Sequence, residues 1–165
     1  MSTATASTLK LADEVWVICA LLHRENASAA DFTIDQVMER ARKEGVTGAL
    51  RRGFYVHVVQ HCVANRPPNP GRYRILTETR EGRRRLYRIG DSHHPAREGG
   101  KTIPNSEDLP PEYRNLVAWY HAKYALRRRR KDEADSILEL RGLGKGLWKD
   151  EDPDSYIRRL REGWE

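Results

Sequence analysis

Three prolines and a glycine crowd into RPPNPG at 66–71. They divide the first ninety or so residues into two parts that must fold differently. Proline has no amide donor and its ring clashes with the preceding turn, so no helix crosses this stretch. Before it the apolar residues follow helical spacing. Leu11, Val15, Ile18, Cys19 and Leu22 give a first helix from Leu9 to Arg24. Asn26 to Asp31 reads as a loop. Thr33 and Gln36 make a T-x-x-Q capping box, with Phe32 and Val37 set for a hydrophobic staple. This second helix runs through Met38 and Ala41 and stops at Gly45, a natural C-terminal cap. Thr47 is placed to cap a third helix reaching to about Asn65.

After the prolines the pattern changes. RYRILTE (72–78) and RRRLYRI (83–89) flank TREG (79–82), which predicts a β-hairpin. Three helices followed by a basic hairpin is the order of a winged helix, so the expected fold class is α+β. Residues 91–110 are polar and rich in Pro, Gly and His, and read as a strap. Leu109-Pro110-Pro111-Glu112 opens a fourth helix, with an apolar face from Tyr113, Leu116, Val117, Tyr120 and Tyr124. The expected organisation is a winged-helix DNA-binding domain over 1–91, a strap and supporting helix over 92–135, and a partner-binding tail over 136–165.

Charge sharpens the functional expectation. The net charge is +6, yet residues 45–90 hold ten arginines and two acids. A basic block in a nearly neutral remainder points to a polyanion. At 100° per residue, Tyr55, Val56, Val59, Cys62 and Val63 share one side of the third helix. Gly53, His57, Gln60 and His61 take the other, with Arg51 and Arg52 near its start. The side chains expected on duplex DNA are therefore Thr47, Arg51, Arg52, His57 and Gln60. Arg80, Arg83, Arg84 and Arg85 of the wing join them by tracking phosphates. The bland counterpart is a core-lining helix and a solvated hairpin edge in a protein-interaction module, and a DNA-repair or nucleoid accessory without a toxin partner is the other alternative. RRRRK at 127–131 adds non-specific support at most.

Other classes fare worse. Cys19 and Cys62 sit in apolar stretches, with neither zinc nor disulfide spacing, and read as buried free thiols. His57 and His61 are four apart, but H-x-x-x-H lacks a third ligand, so no metal and no cofactor is expected. There is no phosphate loop and no nucleophile elbow, and an enzyme is not expected. No apolar run is long enough to span a membrane, and MSTATAST lacks a signal-peptide core. A cytoplasmic protein fits, and a homo-oligomer is compatible with the sequence.

The chain ends GLGKGLWKDEDPDSYIRRLREGWE. Gly142, Gly144 and Gly146 lead to Trp148, and an acidic hinge follows. Asp152, Pro153 and Asp154 then suit the start of a short helix. Tyr156, Ile157, Leu160 and Trp164 make one apolar stripe on it, and Arg158, Arg159 and Arg161 fill the rest. A helix this short is marginal alone, so it suits folding against a partner. These residues resemble the C-terminal segment of VapB-type antitoxins, in which a G-[IL]-G-K-x-[IL]-W run precedes D-x-x-x-Y-[IV]-x-x-L-R-x-x-W. The match runs through Gly142, Leu143, Gly144, Lys145, Leu147 and Trp148, then Asp152, Tyr156, Ile157, Leu160, Arg161 and Trp164. The resemblance implies capture of a PIN-domain ribonuclease toxin by Leu147, Trp148, Tyr156, Ile157, Leu160 and Trp164. Arg159 or Arg161 would reach the toxin's acidic metal site, and the DNA-binding part would repress its own operon. Separately, HCVANRPPNPGRYRIL, RRRLYRIGD and DLPPEYRNLVAWY resemble an uncharacterised bacterial winged-helix family, which implies a fold and no known activity.

Overall fold

The chain divides into two units, Met1–Arg127 and Arg128–Glu165. The computed structural model describes residues 9–126, all in the first. The expected tail contacts Leu147, Trp148, Tyr156, Ile157, Arg159, Leu160, Arg161 and Trp164 lie outside the described residues, as does the RRRRK run.

The fold is α+β, built around one fully enclosed helix. In α1 (Leu11–Glu25) every residue from Ala12 to His23 is buried. A helix buried all round needs neighbours on every side. It touches α2 (Ile34–Glu44), the third helix, the sheet and the fourth helix. Its three buried polar residues each tie down another segment. Asp13 pairs with Lys101 of the strap (2.7 Å), Glu14 holds Arg51, and His23 meets the sheet.

The local signals around α2 form as the sequence reads. Gln36 N–H donates to Thr33 Oγ1 (3.1 Å), and Thr33 N–H donates to Gln36 Oε1 (2.8 Å). Gly45 ends the helix at φ +60°, where a Cβ would sit 2.9 Å from the Gly48 carbonyl oxygen. Just before α2, the two-residue strand β1 (Phe32–Thr33) pairs antiparallel with β3 (Arg83–Leu86), which pairs in turn with β2 (Leu76–Arg80). The sheet order is β1-β3-β2.

The third helix departs from expectation. It does not start at Thr47. Gly48 (φ +96°) and Gly53 (φ +88°) hold the chain in turns, and α3 begins with Phe54–Val56. It continues over His57–His61 with wider turns, in which Cys62 N–H donates to His57 O (3.0 Å). The cause lies in α1. Arg51 Nε donates to Glu14 Oε2 (2.7 Å) and the Thr47 hydroxyl to Glu14 Oε1 (3.4 Å), so residues 47–51 are drawn onto α1 as a loop.

The hairpin is also shifted. Leu76 to Arg80 form the first strand, so Thr79 and Arg80 belong to the strand and the turn is Glu81–Gly82. Residues 72–75 instead run beside the strap, where Arg74 N–H donates to Lys101 O (2.8 Å). The strap is part of the core rather than a cover. Arg97 in it is 0% exposed, has no carboxylate partner among the described residues, and donates to six backbone carbonyls. The fourth helix, α4, opens with a turn at Pro111–Tyr113 and runs through Asn115–Trp119 and Tyr120–Tyr124. It buries Leu116, Tyr120 and Tyr124. Cys19 and Cys62 are buried free thiols, and burial pushes the Cys19 thiol up to about 12. Among the described residues no helix is long and apolar enough to cross a membrane.

Candidate functional site

The arginines of the basic segment divide into two sets. Five of the ten are ion-paired: Arg51 with Glu14, Arg66 and Arg84 with Glu78, Arg83 with Asp31, and Arg85 with Asp91. The carboxylates that hold Arg51, Arg83 and Arg85 are nearly buried, at 4%, 8% and 9% exposure. Those arginines neutralise enclosed acids instead of projecting as a charge array.

This corrects the expected wing contacts. Arg84 is 1% exposed and points inward. Its Nε donates to Val58 O (3.1 Å), Nη2 to Val59 O (3.3 Å) and Nη1 to Glu78 Oε1 (3.0 Å). It joins the hairpin to the back of α3 and offers nothing to a phosphate. Arg83 Nε donates to Asp31 Oδ1 (2.6 Å), and Thr79 donates to the same carboxylate (2.6 Å). Burial opposes ionisation of Asp31, but these two hydrogen bonds hold its carboxyl below the usual range. Arg85 makes a fork on Asp91 (2.6 and 2.8 Å). Burial is again outweighed, by that fork and the Arg88 N–H, and Asp91 stays ionised below its ordinary value. Arg80 alone of the four expected wing arginines is exposed and without a hydrogen-bonded partner among the described residues.

On α3 the expected faces are rotated. Phe54, Val58 and Cys62 are each 0% exposed and form the inward stripe at i, i+4 and i+8. Tyr55 and Val56, expected inward, are 54% and 44% exposed. Val59 is half-buried beside them. The expected polar readers are mostly engaged within the protein. Gln60 Nε2 donates to Pro67 O (2.8 Å), and His57 Nδ1 lies 3.0 Å from Gly53 O. Burial lowers the His57 pKa, with the neighbouring His61 and Arg51 adding to it. The two imidazoles stack edge to face at 4.9 Å. Among the described residues no group of three or more His, Cys, Asp or Glu could hold a metal ion. Thr47 is exposed, with its hydroxyl turned to Glu14, and Arg51 is half-buried on the same carboxylate. Arg52, next to Gly53, is exposed.

Of the arginines of the basic segment, Arg52, Arg72 and Arg80 are exposed, and on α3 Tyr55 and Val56 are exposed too. Glu81 is the one exposed acid between residues 45 and 82. Sequence reasoning missed Arg72, Tyr55 and Val56. The i, i+4, i+8 repeat of Phe54, Val58 and Cys62 was the signal that could have set the rotation of the helix.

No family model matches the chain, and no curated protein or solved structure is significantly similar to it.

Proposed function

We propose that this is an antitoxin-like DNA-binding protein, with a winged-helix module over the first unit and a toxin-capturing tail at the C-terminus. Two features support the winged helix. The element order is helix, short strand, two helices and hairpin, and β1 pairs with the hairpin's second strand. In such a module the third helix enters the major groove and the hairpin tip meets the backbone. The observation that carries DNA binding is that Arg52, Arg72 and Arg80 stay exposed in a segment where, between residues 45 and 82, Glu81 is the one exposed acid. The contact set is accordingly smaller than the basic composition suggests.

The test is salt-dependent binding of the full chain to duplex DNA. Arg52→Ala and Arg80→Ala together should flatten the slope of log affinity against log salt by about two, roughly 0.9 per phosphate released. Lys123→Ala, on α4, should leave it unchanged. A folded protein that binds no duplex at low salt would remove the DNA reading and favour the protein-interaction module.

The antitoxin half rests on the tail pattern from Gly142 to Trp164. Large aromatics dominate most interfaces, so Trp148→Ala or Trp164→Ala should each cost roughly 2 kcal/mol or more of affinity for a PIN-domain ribonuclease. Guanidinium groups compete with a divalent metal for carboxylates. Removing Arg159 and Arg161 should therefore relieve inhibition more than it weakens capture. Ribonuclease assays of a PIN-domain ribonuclease that the full chain binds, with and without the chain and its variants, read both effects. Undiminished nuclease activity at saturating antitoxin would overturn this half alone.

A further inference from the structure

We draw no further inference here: the strongest candidate, the exposed apolar pair Ile89 and Leu126 that forms a parallel bridge where the chain leaves the fourth helix, carries nothing because nothing in the structure shows what covers it.

Discussion

Arg97→Met is expected to destabilise the first unit by about 3–5 kcal/mol, the usual cost of breaking a buried charged network. That is a large share of the ~5–15 kcal/mol that holds a domain folded. The guanidinium lies wholly inside the protein. Its Nε donates to Arg66 O (2.6 Å). Nη1 donates to His61 O (2.8 Å), Gly71 O (3.0 Å) and Tyr73 O (2.6 Å), and Nη2 to Gln60 O (2.9 Å) and Pro67 O (3.2 Å). It thus collects the carbonyls at the end of α3 and those of the proline-rich loop. Residues 66–73 have three prolines and little regular structure, so few other donors are at hand for them. Methionine keeps the apolar stem and removes every donor. Arg97→Lys restores the charge, but an ammonium has three donors on a single point and cannot reach around this ring of acceptors. It should recover less than half of the loss. Urea denaturation checks both values. A methionine variant within about 1 kcal/mol of wild type would mean that solvent or rearranged backbone satisfies these carbonyls, and the role assigned to Arg97 would fail.

The same residue shows where sequence reading stops. Arg97 sits in a stretch of His, Pro and Gly that reads as a solvated strap. Its acceptors lie 24 to 37 residues away, and nothing in the local pattern points to them. The arginines of the hairpin pose the same problem. Arg83 finds Asp31 across 52 residues, and Arg51 finds Glu14 across 37. A run of arginines carries no mark of which ones have an enclosed acid waiting. Composition therefore overstated the cationic surface. Elements governed by neighbours were readable: the Thr33–Gln36 box, the Gly45 stop, the existence of the hairpin and the helix opening at Pro111. The start of α3 was not, because Gly48 and Gly53 permit a left-handed backbone without requiring it. The expected faces of α3 came from a plot at an ideal 100° per residue, whereas the helix has wider turns over His57–His61. That plot placed Tyr55 and Val56 inside.

The remaining large effect concerns pH. His23 is enclosed between Phe32 and Tyr124, with ring centroids at 4.8 and 4.7 Å. Its Nε2 accepts from Leu86 N–H (3.3 Å), and Tyr124 donates its hydroxyl to Leu86 O (3.1 Å). A proton on Nε2 would remove that acceptor and bring a charge into an apolar site. Burial, with Arg88 and Arg85 nearby and only Asp31 opposing, lowers its pKa from 6.5 to about 3. The unfolded chain binds a proton below about 6.5 while the folded protein does not, so stability must fall as the solution is acidified through that window. The limiting slope is about 1.4 kcal/mol per pH unit, which gives ~2–3 kcal/mol lost by pH 4.5. His57, also depressed by burial, adds in the same direction. The acids Asp31, Glu78 and Asp91, whose folded pKa values are lowered, begin to act only as pH falls through the ordinary carboxylate range near 4. The interval from pH 6.5 to 4.5 therefore belongs chiefly to the imidazoles. His23→Gln keeps an acceptor for Leu86 N–H and cannot titrate. It should be less stable than wild type at pH 7 yet lose far less between pH 6.5 and 4.5. Urea midpoints of the two proteins across that interval decide the matter. Parallel curves would show that His23 is protonated within the fold, and that the enclosure between Phe32 and Tyr124 opens more readily than its burial implies.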